Sequence, residues 1–241
     1  MFRHIGDART YSHNIRIASL LSFVAGIVNV VGFLSVQRLT TNVTGHFAFF
    51  IDDVFKLNFW HGLIFLLYIV FFLLGSFISG FLVESIFRWN KAYVYIIPAI
   101  LESALLFFVA FLGKLIHTAP DTLAFLLLFT MGLQNSLVTN ISKATVRTTH
   151  LTGLFTDLGI ELSQLFFYHE PEQKKKLLSS IRLRFTIIAF FFIGGTGAGL
   201  LYSSLKLKVL IVAGAVLLIG ATFDYWKYGI IKAKRKYSRK T

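Results

Sequence analysis

One short polar motif occurs twice in this chain. Thr40-Thr41-Asn42-Val43-Thr44-Gly45-His46-Phe47 returns as Thr148-Thr149-His150-Leu151-Thr152-Gly153-Leu154-Phe155, at an offset of 108 residues. Ahead of each copy lies a second matched pair, Gly26-Ile27-Val28-Asn29 and Gly132-Leu133-Gln134-Asn135, at an offset of 106. Behind each, Phe71-Phe72 with Gly75 and Gly80 matches Phe190-Phe191 with Gly194 and Gly199, at an offset of 119. The order is kept and the drift is small, which is the mark of an internal repeat.

The repeated residues are of types that bind solutes. Each Thr-Gly step reads as a helix start. Thr44 and Thr152 are candidate N-caps, and Gly45 and Gly153 let another group approach the backbone closely. Such a start draws anions through its free N–H groups and dipole, although the same pattern suits an ordinary capped surface helix. Asn42, His46 and His150 flank the two starts. Lys143, Arg147 and His150 could bring an anionic solute to the second one, though cytoplasmic basic flanks also look like this. Asn29, Gln134 and Asn135 fall inside apolar segments, so each needs a partner on a neighbouring helix or on a ligand.

Carboxylates supply a second kind of chemistry. Asp157 and Glu161 stand one helical turn apart, with Gln164 and Tyr168 continuing the stripe. Glu161 matches Asp53 at the 108-residue offset, so each half contributes an acid. Asp53, Asp157, Glu161 and the deeply placed Glu102 are candidate proton carriers if they face a dry cavity. Interfacial water or structural pairing is the alternative for each. No catalytic or metal set accompanies them. The seven histidines show no ligand spacing and cysteine is absent, which excludes disulfides and thiolate sites. Neither a nucleophile elbow nor a phosphate or dinucleotide loop occurs, so no enzyme activity and no cofactor are expected.

The elements that carry these residues are set by hydrophobicity. Of 241 residues 56% are apolar and only 15% charged, against roughly 45–50% and about 25% in globular domains. Charge is also segregated: 23 of the 35 charged residues fall in 1–16, 143–185 and 224–241. Too few remain to build a soluble surface. The net charge is +13, and seven of the 24 basic residues sit in the tail from Lys227 to Lys240 after an apolar segment, which fits a flank meeting anionic lipid and not a nucleic-acid site.

Six stretches are expected to cross a bilayer: Ile17–Val36, Trp60–Val83, Ala92–Gly113, Thr122–Ile141, Phe185–Ser204 and Leu207–Phe223. Alternate loops hold 19 and 5 Lys and Arg residues, which puts both termini in the cytoplasm. Trp60, Trp89 and Trp226 fall at span ends, where an indole prefers the interface. The expected fold is an all-α polytopic membrane protein. It comprises a segment 1–16, two three-helix repeats over 17–113 and 114–223, and the tail 224–241. A short amphipathic or re-entrant helix is expected after spans one and four. Because three is odd, the second repeat enters the membrane from the opposite face, so the halves are inverted. The glycines of spans two and five are expected to pack those spans together.

Gly26 to Asn29, Asn42-Val43-Thr44-Gly45-His46, Met131 to Asn135 and Thr148 to Gly153 resemble the two signature regions of the YoaK family. These are small bacterial multi-spanning proteins without an assigned function. The resemblance covers about Ile17 to Phe223, and His46 stands where relatives often carry Asn. It implies a bacterial inner-membrane location and six spans, and no particular substrate.

The combined reading is a small transporter or permease for a polar or anionic solute, with its site at the repeat interface. A non-transporting scaffold or accessory subunit is the alternative. The partners expected are the lipid bilayer, a small solute or ion, no nucleic acid and, as an option, a second copy of the chain.

Overall fold

The structure is a computed structural model describing Phe2 and residues 9–237, with side chains placed through Phe223. Trp226 and the basic side chains from Lys227 to Lys240 lie outside those described side chains, and the rest of the segment before Arg9 lies outside the described residues. Among the described residues there are helices and turns and no strand. In chain order they are α1 (Tyr11–Val36), α2 (Thr44–Phe55), α3 (Phe59–Trp89), α4 (Ile96–Ala110), the single turn α5 (Leu115–Thr118), α6 (Pro120–Ser142), α7 (Leu151–Gln164), α8 (Pro171–Leu205) and α9 (Leu210–Tyr237).

Local chemistry sets several boundaries. Pro120 and Pro171 occupy first helical positions, where the missing N–H costs nothing and the fixed φ suits a helix. Gln37 and Lys143 end α1 and α6 in the left-handed conformation, at φ 53° and 51°. Lys206, at φ 50°, breaks the chain between α8 and a 3-10 turn, Lys206–Val209, that leads into α9.

Among the described residues four stretches are long and apolar enough to cross a bilayer: Tyr11–Val36, Phe59–Trp89, Pro120–Ser142 and the interrupted run Pro171–Phe223. This is the pattern of a membrane protein. Large apolar side chains such as Phe77, Phe81, Leu73 and Phe192 point outward, which suits lipid and not water. Trp60 and Trp89 are exposed at the two ends of α3. The 29-residue step from one to the other spans roughly 43 Å at 1.5 Å per residue, about the thickness of a bilayer with its headgroups.

The expected third span, Ala92–Gly113, is shorter in the structure. Residues 91–95 are in turns, with the Asn90 side chain accepting from the Ala92 N–H, and α4 keeps only 15 residues. That is about 22 Å, less than the ~30 Å hydrocarbon layer.

The core sits on α1 and α6, where Leu21, Val24, Val28, Leu127, Met131 and Leu137 are fully buried. The closest helix crossings are α1 with α8 and α3 with α6, not α3 with α8 as the glycine spacing suggested. The reason is backbone contact. A Cβ on Gly26 would strike the Phe191 carbonyl and one on Gly194 the Phe23 carbonyl. A Cβ on Gly132 would strike the Phe72 carbonyl and one on Gly75 the Phe129 carbonyl. Each crossing is thus one Phe-x-x-Gly segment laid on another, and the residues of the two crossings correspond at offsets of 106 and 119.

Helix directions follow from side-chain bonds. Tyr11 reaches Ser179 while Ser35 meets Tyr202, so α1 and α8 run parallel. Tyr68 meets Asp121 while Ser76 reaches Gly132, so α3 and α6 run parallel as well. Between the pairs the sense reverses: Leu21 of α1 meets Gln134 of α6, and Arg38 just past α1 meets Asp121 at the start of α6.

Candidate functional site

The Thr-Thr segments are tied to the spans that precede them. Thr41 donates to Asn29 Oδ1 at 2.6 Å, and Thr149 donates to Asn135 Oδ1 at 2.7 Å. Thr40 is fully buried and donates to the Val28 carbonyl at 3.3 Å. Its counterpart Thr148, also fully buried, accepts from Gln134 Nε2 at 3.1 Å, and the same amide group donates to the Leu21 carbonyl at 3.0 Å. Gln134 Oε1 has no partner among the described residues. Asn29, Gln134 and Asn135 therefore hold the turns onto α1 and α6.

The proposed caps are corrected by one residue or more. Val43 is the N-cap of α2 and His150 that of α7, so Thr44 and Thr152 lie already inside their helices, with exposed side chains. The side chain that serves the start of α2 is Asn42, which accepts from the Gly45 N–H at 3.0 Å. At the matched position His150 lies against Gly153, so closely that a Cβ there would strike the ring at 2.6 Å. α2 lies on α3 and α7 on α8, so the two helix starts do not oppose each other across one cavity. The stripe on α7 stops at Gln164, and Tyr168 falls beyond the helix.

The first-half corner is filled. His46 is buried, with Nε2 2.6 Å from the Leu39 carbonyl and no partner for Nδ1 among the described residues. Burial pushes its imidazole pKa down, the Leu39 carbonyl opposes this and the Arg38 charge adds to it. Around it Phe65 lies between Phe49 and His61, each 5.2 Å away between ring centres. Asp53, also buried, accepts from His61 Nδ1 at 2.7 Å. Alongside, Tyr68 donates to Asp121 and accepts from Arg38 Nε at 3.3 Å, which joins α1, α3 and α6 at one end.

The second-half corner is open. A pocket of about 380 Å³ is lined by Arg147, His150, Gly153, Asp157, Ser180 and Arg184, among others. Arg184 of α8 donates from Nη1 to Asp157 at 2.8 Å and from Nε to Glu161 at 2.9 Å. Ser180 donates to the other Glu161 oxygen at 2.6 Å. Arg147 is exposed and has no partner among the described residues. At the repeat offsets Phe49 stands for Asp157, Phe65 for Arg184, Leu39 for Arg147 and His61 for Ser180. The same corner is thus closed by rings in one half and lined by charge in the other.

A family model described as a protein of unknown function (DUF1275) matches residues 17–223. The chain belongs to the DUF1275 family. That match is consistent with the resemblance carried by the two signature regions, which lie wholly inside it. No curated protein and no solved structure matches the chain.

In this DUF1275 member the residues singled out in the sequence are split between the two corners. His150, Gly153 and Asp157 line the open pocket and Glu161 braces its arginine, whereas His46 and Asp53 belong to the closed corner. Glu102 stands apart on α4, fully buried, with neither oxygen bonded among the described residues. Arg184, Ser180, Arg38, Tyr68, Asp121 and His61 were missed. For Arg184 the signal was present, as the last cation before an apolar run, two residues past Arg182 and four past Ser180, the match of His61.

Proposed function

We propose that this protein is a carrier with six membrane crossings in two inverted three-helix halves, moving a small polar or anionic solute. The observation that carries the reading is the contrast between the open charged corner at α7 and its ring-filled counterpart at α2. An unpaired Arg147 beside His150 draws an anion in. Arg184, held by Asp157 and Glu161, is the group for which that anion competes. On this reading the Arg38, Tyr68 and Asp121 link shuts the far end, and passage requires that it open.

Support for the inverted arrangement comes from the reversed sense of α1 and α6 and from the matched Phe-x-x-Gly crossings. It includes counting α4 and α9 as crossings, with α4 reaching across through the turns that flank it. The membrane is the bacterial inner one, with both termini cytoplasmic, as the charge asymmetry and the family resemblance imply. The reading needs neither cofactor nor catalytic residue.

The test is flux into proteoliposomes for a panel of phosphate, sulfate, formate, acetate and succinate, with Arg184→Gln beside the native chain. Saturable uptake of at least one solute is expected, lowered at least about tenfold by the substitution, equivalent to ~1.4 kcal/mol. No uptake above empty vesicles, or equal uptake by the variant, overturns the proposal. A non-transporting scaffold is the second reading, favoured by the internal pairing of Asn29 with Thr41 and Asn135 with Thr149. It predicts a folded protein that carries nothing.

A further inference from the structure

A second cavity, of about 850 Å³, lies between α1, α8 and α9 and shares no lining residue with the charged pocket. Ile15, Leu20 and Phe23 of α1, Phe190 of α8, and Ile219 and Phe223 of α9 give it an apolar wall. Residues 15–23 of α1 run along it for roughly 12 Å, close to the ~15 Å hydrocarbon half of one leaflet. Arg16, near the start of α1, is its single charged lining residue among the described residues. It is exposed and has no partner among the described residues.

The repeat supplies an internal control for why this groove is open. At the 106-residue offset Ser19 corresponds to Phe125 and Arg16 to Thr122, and at the 119-residue offset Phe190 corresponds to Phe71. In the other half Phe125 stacks on Phe71 at 4.7 Å and packs on Tyr68 at 5.0 Å, so a ring fills the place. Here the Ser19 hydroxyl turns back to the Ile15 carbonyl at 2.9 Å and no ring enters. The half that lacks the ring is the half that carries the cation.

We propose that this groove holds one anionic phospholipid, with an acyl chain along the apolar wall and the phosphate on the Arg16 guanidinium. Water in such a groove would leave apolar surface wet, whereas a chain from the surrounding leaflet covers it. Guanidinium presents a planar fork of donors that matches phosphate oxygens, and its apolar stem lies along the groove while the head reaches the headgroup layer. One uncompensated cation selects net negative headgroups over zwitterionic ones. This site stands whether or not the protein transports a solute.

The test is native mass spectrometry of the full chain in neutral detergent, titrated with phosphatidylglycerol, with phosphatidylcholine of the same chains, and with inorganic phosphate. One phosphatidylglycerol should be retained about tenfold better than phosphatidylcholine. Arg16→Gln should bring the two to the same level, and Arg16→Lys should keep most of the preference. Ser19→Phe, which copies the other half, should lower retention of both lipids; Ser19→Leu serves if the larger residue prevents folding. Equal retention of the two lipids by the native chain, full phosphatidylglycerol retention by Arg16→Gln, or unchanged lipid retention in a folded Ser19 variant overturns the proposal. Inorganic phosphate held as firmly as the lipid also overturns it, because the chain would then contribute nothing.

Discussion

Asn135 accepts a 2.7 Å hydrogen bond from the Thr149 hydroxyl, and this bond is the joint between α6 and the turn that launches α7. Asn29 and Thr41 make the same joint between α1 and the turn before α2, at 2.6 Å. Both asparagines lie on apolar helices, where a lost partner is not readily replaced by water. A double-mutant cycle of Asn135→Leu with Thr149→Val should show a coupling of about 0.6–1.7 kcal/mol in detergent or bilayer unfolding. Strict additivity of the two single effects would show that the bond holds nothing in place.

Arg184 is the keystone of the open corner, since it binds two carboxylates that would otherwise repel one another. Arg184→Gln should lower the midpoint of thermal unfolding, and Arg184→Lys should recover only part of the loss, because an ammonium keeps the charge but lacks the spaced planar donors that reach both acids. A further change of Glu161→Gln in the Arg184→Gln background should restore stability relative to Arg184→Gln alone. Failure of that rescue would mean the two residues do not act as a pair.

The Phe-x-x-Gly crossings leave no room for a side chain. Gly26→Leu and Gly75→Leu should each destabilise the protein by at least about 1–3 kcal/mol, through overpacking against backbone that cannot move aside. Gly197 of α8, the helix that crosses α1, has open space around its missing Cβ. Gly197→Ala should therefore be neutral or stabilise by up to about 1 kcal/mol, since alanine also favours the helix. Similar unfolding midpoints for Gly26→Leu and Gly197→Ala would contradict the crossing geometry.

His46 makes stability pH-dependent in a defined direction. Its folded pKa lies below the ordinary value of 6.5, so the unfolded chain binds the proton more readily. The stability it contributes is complete above pH ~6.5 and is lost as the pH falls through that value toward the folded pKa. Unfolding midpoints measured from pH 7.5 down to 5 should drop more for the native chain than for His46→Gln, which keeps a donor for the Leu39 carbonyl. Parallel curves would remove His46 as the cause.

Much of the site was legible as pairs of positions before it was legible as contacts. The offsets of 106, 108 and 119 align Asn29 with Asn135, Thr41 with Thr149 and Asp53 with Glu161, and in the structure each member of a pair makes the bond its counterpart makes, or a close variant of it. What could not be read was how the halves differ. Phe49 and Phe65 look like ordinary membrane phenylalanines in the sequence, and only their positions opposite Asp157 and Arg184 reveal a closed corner facing an open one. Arg184 was overlooked because its two acids lie 23 and 27 residues away on another helix.

By itself the sequence determined the membrane character, the long apolar helices and the register of the repeat, because helix length and periodicity are local properties paid for in hydrophobic residues one segment at a time. Only the tertiary structure decided that α1 crosses α8 and α3 crosses α6, that α4 stops at 15 residues, and that the asparagines bond inward to threonines. Those outcomes depend on which backbone reaches which glycine and which donor meets which acceptor across helices. Segments of nearly equal hydrophobicity leave that choice open until all of them are packed at once.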